Sequence, residues 1–300
     1  MTPRHVRGTV RIGIDVGGTK CLGVVLDESQ LVLASLRKET PRMDELVDVL
    51  CDMVSTLRQS TTDSSDFSLG VGVPGLVTPD GMFRASPHIV GVNDFPIAQL
   101  LSERMQQKVR VDNDATAAAF GEWQIGAARG VRDVLVVTLG TGIGGGIISG
   151  GELQRGAHGH AGEFGHMIVD ATGPECACGQ RGCWEMYASG SALRRMAQGQ
   201  SGEDVMDSAA AGDTDALAIV EEFSQWVGRG LAGLVNALDP QMIVIGGGLV
   251  RTSDVFLEKV EHHLARHMYG ARSRALPAVV PAQLGEQAGA IGSALLGALQ

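Results

Sequence analysis

The first part of the chain alternates apolar runs with short glycine turns, a pattern that predicts a β-sheet and one amphipathic helix. The segment 11–27, RIGIDVGGTKCLGVVLD, has a β-rich run on each side of Gly17 and Gly18, so it predicts a strand, a tight turn and a second strand. A third strand is expected over 31–40. In 44–58 the apolar residues recur at helical spacing, which predicts a helix.

The next part of the chain predicts two further strands, one of which leads directly into a helix. The run FSLGVGVPG (67–75) is a strand that stops at its Pro-Gly pair. The segment 108–123 begins as a short strand and continues as an alanine-rich helix. Asn113 and Asp114 lie at the junction of that strand and that helix.

The opening pattern of strand, glycine turn and strand recurs over 133–153. Two such hairpins indicate two related lobes. Since no low-complexity linker separates them, we expect the lobes to be closely coupled and to share a cleft. The remaining segments are predicted to be a Gly/His/Cys-rich loop region over 154–190, helices over 191–238, a strand over 241–250, a helix over 253–269 and a small-residue apolar helix at the C-terminal end.

The composition is that of a globular protein with a sizeable core. The chain has 300 residues, about two domains' worth on the usual length scale, and 44% of them are apolar. Its net charge of −10 argues against a nucleic-acid partner, so a site for anionic phosphate must depend on local groups and metal ions. No apolar run reaches the ~18–20 residues of a membrane helix and no secretory signal pattern is present, so we expect a cytoplasmic protein without a membrane partner.

The stretch LGTGIGGG (139–146) raises the possibility of a dinucleotide site, because Gly140, Gly142 and Gly145 spell G-x-G-x-x-G. Such a site needs a helix after the glycines and an acidic residue ~20 positions further on. Here the glycines are followed by GIISGG, which cannot form a stable helix, and Glu163 lies in a loop rich in Gly and His. We therefore interpret the segment as a hairpin, with an NAD-dependent dehydrogenase as an alternative.

Glycine turns can also hold phosphate, because successive backbone N–H groups can point at one anion and no Cβ keeps the ligand away. In the first turn, Asp15 could hold Mg²⁺ through water while Thr19 and Lys20 donate hydrogen bonds to phosphate. Two such turns facing each other could bind a triphosphate. The alternative is that each hairpin is merely a tight turn.

The side chains Asn113 and Asp114 suit general base chemistry. A hexose hydroxyl is a poor nucleophile until its proton is being removed, and a positioned carboxylate that accepts the proton is worth about 10²–10⁴-fold. Asn and Asp are also preferred at helix N-termini, so capping is the alternative role, and the two roles can coexist. Asp112 is a rival carboxylate that strand alternation alone does not exclude.

Three cysteines and one histidine are spaced as a metal site. Cys176, Cys178 and Cys183 form C-x-C-x₄-C, ten residues after His166, and three thiolates with one imidazole suit a closed, structural Zn²⁺. A zinc would give order to a glycine-rich loop that has little apolar content. The alternative is three reduced, buried thiols; Cys21 and Cys51 are expected to be small core residues.

In combination these segments resemble the ROK family of sugar kinases, within the actin/hexokinase superfamily, and most closely its bacterial ATP-dependent glucokinases. Residues 15–20, DVGGTK, are similar to the family's first phosphate motif, 139–146 to its second and 246–248 to its adenosine-side loop. The resemblance implies nucleotide-binding roles for Asp15, Gly17, Gly18, Thr19, Lys20, Gly140, Thr141, Gly142, Gly246, Gly247 and Gly248.

The resemblance also implies the fold. It is an α/β, two-lobed actin/hexokinase-like (ribonuclease H-like) fold with mixed sheets. The N-terminal lobe would comprise 1–118, joined by the C-terminal helix 286–300, and the C-terminal lobe would comprise 119–285 with the zinc loop. By analogy with the family, we expect a homodimer.

The function implied is transfer of the γ-phosphoryl group of Mg·ATP to the 6-hydroxyl of glucose. Asp114 matches the family's base, which excludes Asp112, and Asn113 matches the neighbour that binds the sugar. His166 matches a residue that ligates zinc and lies against the sugar. The cofactors implied are ATP, Mg²⁺ and a structural Zn²⁺, and the sugar-binding residues implied are Gly72, Asn113, Asp114, Glu163, His166 and Glu185.

Some alternatives stay open at this level. The acceptor could be another hexose, such as N-acetylglucosamine, N-acetylmannosamine, mannose or fructose, since Pro87-His88 replaces the Pro-Asn often found in the family. The phosphate donor could be polyphosphate, although relatives of that type generally lack the cysteine cluster. A non-enzymatic sugar sensor is a further alternative, but we expect no room for a winged helix-turn-helix before the first strand.

Overall fold

The computed structural model of the protein describes residues 10–61, 66–87, 89–249 and 253–299, and His88 of the Pro87-His88 pair lies outside them. The chain forms two compact units. Unit 1 consists of Met1–Ile125, Gln154–Ala161 and Glu286–Gln300, and unit 2 consists of Gly126–Leu153 and Gly162–Gly285. Each unit therefore combines segments that are distant in sequence.

Unit 1 is an α/β unit whose elements we number along the chain. They are β1 (Val10–Val16), β2 (Lys20–Leu26), β3 (Val32–Glu39), α1 (Leu46–Gln59), β4 (Phe67–Val73), β5 (Leu76–Val77), β6 (Phe83–Ala85), α2 (Ile97–Met105), β7 (Val109–Asn113), α3 (Asp114–Ile125) and, after unit 2, α9 (Ala288–Gly297). The apolar residues of α1 at helical spacing are buried against the sheet, as the sequence pattern predicts.

The main sheet of unit 1 is mixed, as expected. Within the described residues its order is β3-β2-β1-β4-β7, with β1, β2 and β3 antiparallel to one another and β4 and β7 parallel to β1. The register pairs Asp15 with Gly72, and Gly72 with Asp112. Since parallel strands end at the same sheet edge, these residues and Asn113 lie together there.

Helix α9 packs against β1 and β4 at very short range. A Cβ added at Gly70 would lie 1.9 Å from the backbone oxygen of Ser293, and one at Gly13 would lie 1.9 Å from that of Ala290. Only glycine allows two backbones to approach this closely. The small-residue helix predicted at the C-terminal end is thus part of unit 1.

Unit 2 is also an α/β unit. Its elements are β8 (Val134–Leu139), β9 (Ile143–Ser149), β10 (Glu152–Gln154), a 3₁₀ helix (Phe164–His166), α4 (Glu185–Ala188), α5 (Gly190–Met196), α6 (Gly202–Ala210), α7 (Thr214–Leu238), β11 (Met242–Gly246), α8 (Ser253–His267) and β12 (Ala278–Pro281). Within the described residues the sheet order is β10-β9-β8-β11-β12, again mixed, with β11 parallel to both β8 and β12.

Helices α7 and α8 form much of the core of unit 2. The side chain of Asp213 caps α7 by accepting a hydrogen bond from the backbone N–H of Ala216 (2.8 Å). Phe223 and Phe256 contact each other edge to face, with ring centroids 6.0 Å apart. Among the helices that the structure describes, none combines the length and the apolar character needed to cross a membrane.

The structure differs from the sequence expectation in several places. The elements that were not predicted are α2, with nine residues, the short strands β5, β6, β10 and β12, and the short helix α4, which lies in the segment expected to be loop. The expected lobe boundary at 118/119 falls inside α3, which belongs to unit 1 along its whole length because it packs on α9. Residues 154–161 also belong to unit 1, although β10 and the segment after Ala161 belong almost entirely to unit 2.

Candidate functional site

The first glycine turn joins β1 to β2 and is held by the end of β3. The backbone N–H of Gly17 donates to the carbonyl of Lys20 (2.9 Å), and the hydroxyl of Thr40 donates to the carbonyl of Gly17 (2.7 Å). Gly18 and Thr19 at the tip are exposed. The turn therefore has a fixed base and a tip that a ligand can reach.

Asp15 lies at the foot of this turn with an unsatisfied oxygen. Its Oδ1 is buried and has no hydrogen-bond partner among the described residues. Burial raises the pKa of Asp15 to about 8, and the nearby charge of Asp114 adds to that rise while Lys20 opposes it. A carboxylate oxygen of this kind fits a cation, since a hard cation such as Mg²⁺ prefers oxygen ligands.

Lys20 is ion-paired within unit 1. Its ammonium lies 3.1 Å from Oε2 of Glu286, and Arg37 donates to the other carboxylate oxygen of Glu286. Hydrogen bonding from Lys20 holds the pKa of Glu286 below its ordinary value. Glu286 could not be found from the sequence, because the lysine and the glutamate are 266 positions apart and no motif joins them.

The second glycine turn joins β8 to β9. Leu139 pairs with Ile143 in an antiparallel ladder, so a strand and not a helix follows the glycines. The hairpin interpretation is confirmed, and the dinucleotide alternative lacks the helix it requires. The backbone N–H of Gly190, at the start of α5, donates to the carbonyl of Gly140 (2.7 Å), and Thr141 at the tip is exposed.

The third glycine run, Gly246 to Gly248, lies beside this second turn. Gly247 has a φ of +92°, and a Cβ there would lie 2.3 Å from the backbone oxygen of Leu139, the residue before Gly140. The close contact requires glycine at 247. Two of the three predicted nucleotide segments are therefore adjacent within unit 2.

Asn113 and Asp114 mark the point where β7 becomes α3. Asn113 caps the helix, since its Oδ1 accepts a hydrogen bond from the N–H of Thr116 (2.9 Å), and its Nδ2 donates to the carbonyl of Gly75 (3.1 Å). Asp114 is half-buried, and its Oδ1 accepts from the N–H of Ala115 (2.8 Å). Capping therefore belongs mainly to the asparagine.

Two neighbours define the surroundings of Asp114. A Cβ at Gly72 would lie 3.2 Å from the Cα of Asp114, so the absence of a side chain allows the backbone at Asp114 to approach β4 closely. Asp112, the rival carboxylate, is buried and ion-paired: its Oδ2 lies 2.7 Å from Nε of Arg155 and 3.8 Å from a guanidinium nitrogen of Arg110. Its engagement by two arginines makes it a poor base.

The predicted metal ligands meet in unit 2. One ligand atom from each of His166, Cys176, Cys178 and Cys183 lies within 4.8 Å of all the others. The four cysteine and histidine groups fit a structural Zn²⁺, which takes four such ligands in a tetrahedron. Burial raises the pKa of the Cys176 and Cys183 thiols, and a bound cation would favour their thiolate forms.

Contacts outside the four ligands hold the cysteine loop in place. The hydroxyl of Tyr187 donates to Asp170 (2.9 Å), and the Tyr187 ring stacks on Trp226 with centroids 4.1 Å apart. The indole N–H of Trp184 donates to the carbonyl of Trp226 (2.8 Å). The loop is thus attached to α7 next to the predicted metal ligands.

Two carboxylates flank the histidine of this cluster. Oε2 of Glu163 lies 3.8 Å from Nε2 of His166, and Oε1 of Glu185 lies 3.7 Å from Nδ1. Oε1 of Glu185 is also 3.0 Å from the sulfur of Cys176, and its Oε2 accepts a hydrogen bond from the N–H of Ile143 (3.4 Å). The predicted sugar residues of unit 2 therefore lie together and next to the cysteines.

Two units with mixed sheets, each with an antiparallel glycine hairpin, are the architecture of the actin/hexokinase-like fold. The chain belongs to the ROK family: the model of that family, described as "ROK family", matches residues 11–299.

Two glucokinases and a xylose repressor are among the proteins that this chain resembles. The chain is 35% identical over 309 aligned residues to a glucokinase of Streptomyces coelicolor, which covers 94% of this chain and 96% of that protein. A ROK family glucokinase from Streptomyces griseus, solved in complex with glucose and AMPPNP, is 35% identical with a TM-score of 0.88, over 97% of this chain and 100% of that one. The xylose repressor of Bacillus subtilis is 31% identical over 94% of this chain and 75% of its own length.

Proposed function

We propose that this protein transfers the γ-phosphoryl group of Mg·ATP to the 6-hydroxyl of glucose and releases glucose 6-phosphate. The observation that carries the proposal is the match, over nearly the whole length of both chains, to a glucokinase solved with glucose and AMPPNP. An NAD-dependent activity has no support, because β9 stands where that site needs a helix.

Asp114 is the group we assign as general base. It would accept the proton of the sugar hydroxyl as the hydroxyl attacks phosphorus, so that the nucleophile gains charge as the bond forms. It lies at the start of α3, where the helix N-terminus carries partial positive charge. Asn113 keeps one amide hydrogen and one lone pair beyond its two internal bonds, and these suit a vicinal pair of sugar hydroxyls.

The glycine turns are the segments we assign to the nucleotide. The exposed tip of the first turn, Gly18 to Lys20, offers backbone N–H groups and an ammonium to phosphate oxygens. We assign the same role to Gly140, Thr141 and Gly142, and the adenosine side to the glycines at 246–248. Bound Mg²⁺ supplies neutralisation of phosphate charge, and Asp15 would hold the ion or one of its waters through the buried oxygen.

Glu163, His166 and Glu185 are the sugar-binding residues we assign in unit 2. Each carboxylate can accept two hydrogen bonds from hydroxyl groups, and both stand beside the histidine ring. The structural Zn²⁺ would be held by His166, Cys176, Cys178 and Cys183, and would fix the loop from which these side chains extend. We also propose a cytoplasmic homodimer, as the resemblance to bacterial glucokinases implies.

A panel of sugars with ATP tests the proposal. Purified protein is assayed for ADP release with glucose, mannose, fructose, N-acetylglucosamine and N-acetylmannosamine, and the glucose product is identified as the 6-phosphate. We expect the highest kcat/KM with glucose. A higher value with another sugar would reassign the acceptor, and polyphosphate replacing ATP would reassign the donor. Glucose binding without turnover would identify a sensor of the kind that the repressor match suggests.

A further inference from the structure

We propose that Asp112 and Arg155 form a positioning pair for the sugar end of the reaction. The inference rests on the proposed function and adds two residues to it that no motif assigns. The pair ties the 154–161 loop, which belongs to unit 1, to strand β7. Strand β7 ends immediately before Asp114, the proposed base.

The ion pair between Asp112 and Arg155 is largely shielded from water. The side chain of Asp112 is 8% exposed and that of Arg155 is 22% exposed, with 2.7 Å between Oδ2 and Nε. The cavity beside the pair, lined by Val77, Pro79 and Gly159 among others, has no room for a water molecule. Loss of Arg155 is costly in such a place, because the buried Asp112 would keep only the more distant Arg110 as a positive neighbour.

One end of the pair reaches the catalytic junction. The second oxygen of Asp112, Oδ1, accepts a hydrogen bond from the backbone N–H of Asn113 (3.1 Å). Asn113 in turn caps α3, whose first residue is Asp114. The carboxylate that binds Arg155 therefore also orients the peptide from which the sugar-binding amide and the proposed base extend.

The other end of the pair, Arg155, belongs to the loop that precedes the proposed sugar-binding segment in the sequence. The 154–161 loop closes on itself, since the N–H of Ala161 donates to the carbonyl of Arg155 (3.0 Å). It is pressed onto β5: Gly159 has a φ of +84°, and a Cβ there would lie 2.4 Å from the backbone oxygen of Val77. Glu163 follows Ala161 by only two residues in the sequence, so the pair anchors the loop that immediately precedes the Glu163–His166 segment along the chain.

These contacts place the pair's effect on the sugar and not on the nucleotide. The positively charged neighbour of the pair is Arg110, whose pKa is lowered by burial and by Arg155. No contact of the pair that the structure describes involves Asp15, Lys20 or the glycine turns. Misplacement of reacting groups by about 1 Å can cost on the order of 10²-fold in rate. We therefore expect kcat/KM for glucose to fall while KM for ATP is unchanged.

The test uses three variants of the full chain and one control. Arg155→Met leaves the buried Asp112 with only Arg110, 3.8 Å away, as a positively charged neighbour, and the double variant Arg155→Met/Asp112→Asn removes both charges of the pair. Arg155→Lys restores the positive charge. The control, Arg274→Met, breaks an ion pair with Asp239 in unit 2. Each variant is assayed with glucose varied and with ATP varied, and is followed by thermal melting and by amide hydrogen exchange.

The double variant separates positioning from stability. We expect its melting temperature to lie above that of Arg155→Met, because no buried carboxylate then lacks its close partner, although Arg110 loses Asp112 as a neighbour. Its kcat/KM for glucose should stay about 10–100-fold low, with KM for ATP within about two-fold. Amide exchange at 156–163 should be faster than in Arg274→Met, whose glucose kinetics should be unchanged.

Three results would overturn the inference. Glucose kinetics of the double variant equal to those of the unmodified protein would make the pair a stability element only, and so would unchanged exchange at 156–163. If the double variant does not fold, Arg155→Lys decides: kcat/KM for glucose as low as in Arg155→Met would exclude the charge pair as the cause. Absence of glucose phosphorylation by the unmodified protein would instead overturn the proposed function, with the inference that depends on it.

Discussion

The carboxylate of Asp15 packs directly against Gly289, so that a Cβ at residue 289 would lie 2.5 Å from Oδ2 of Asp15. The first strand of the chain and the first turn of its last helix thus meet at the proposed Mg²⁺ ligand. Any side chain at 289 has to displace this carboxylate.

Gly289→Ala should therefore impair nucleotide use. We expect kcat/KM for Mg·ATP to fall by about 10–100-fold, because the carboxylate would be moved by roughly an ångström. Gly233→Ala is the matched control, since Gly233 is helical, exposed and has no atom within 4 Å of an added Cβ. The control should keep full activity and gain up to about 1 kcal/mol of helix stability. Equal kinetics for the two variants would contradict the assignment of Asp15.

The raised pKa of Asp15 makes the ligand-free protein less stable as pH rises. Below its ordinary value of 3.8 the carboxyl is protonated in both the folded and unfolded chains. Between that value and about 8 the unfolded chain gives up the proton while the folded chain keeps it, so the free energy of unfolding falls; above about 8 the loss is complete.

Asp15→Asn should remove that dependence, because an amide imitates the neutral acid. Melting temperatures measured across this range should show the variant above the unmodified protein at pH 8, with the difference shrinking towards pH 4. The variant should also lose the stabilisation that Mg·ATP gives to the unmodified protein. A difference in melting temperature that does not change with pH would mean that ionisation of Asp15 does not destabilise the folded protein.

Asp114→Asn should abolish most phosphoryl transfer while it leaves glucose binding intact. Removing a general base lowers kcat by about 10²–10⁴-fold, whereas the amide still hydrogen-bonds a hydroxyl. Glucose affinity, measured by calorimetry, should stay within several-fold. Near-normal turnover would rule out Asp114 as the base.

Removal of the metal should weaken glucose binding more than it slows the phosphoryl-transfer step. A strong chelator, or Cys178→Ser, should lower the zinc content and the melting temperature and raise KM for glucose, since Glu163 and Glu185 flank the ligand His166. Cys51→Ser is the control, because Cys51 lies in α1 outside the cluster. Full activity in protein proved free of metal would refute a structural zinc.

Glu286→Gln should improve ATP binding slightly. Glu286 is exposed and pairs with Lys20 and Arg37, so the pair itself contributes only about 0–1 kcal/mol. Its removal frees Lys20 for phosphate and takes away a negative charge near the first turn. KM for ATP should fall by a few-fold at low salt, and by less at high salt. An increase would show that Glu286 helps to hold Lys20 in place for the nucleotide.

The parts of the fold that could be predicted from the sequence are those formed by residues close together along the chain. The two hairpins are visible because apolar strands flank their glycines, and the cysteine cluster because its spacing is short. Helix α2 and strand β12 were missed because each is too short to establish a period. The roles of the single site residues remain predictions.

Contacts between residues that are far apart in the sequence could not be predicted, because no local sequence pattern indicates them. Lys20 and Glu286, or Asp112 and Arg155, are joined only by the path of the chain. The expected lobe boundary at 118 has the same origin: the packing of α3 on α9 depends on Gly292, where a Cβ would lie 1.7 Å from the backbone oxygen of Ala117, and nothing near residue 118 indicates it.

Helix α9 closes unit 1 from the far end of the sequence, which sets an order of events during synthesis on the ribosome. Strands β1 and β4 emerge early, but the surface around Gly13 and Gly70 stays uncovered until α9 has been translated, after all of unit 2. Unit 2 has every one of its segments by then. Unit 2, which contains the cysteine loop, should thus be complete before unit 1. A protease added to stalled ribosomes should therefore still cut β1 and β4, the earliest-made strands, at stages before α9 has emerged.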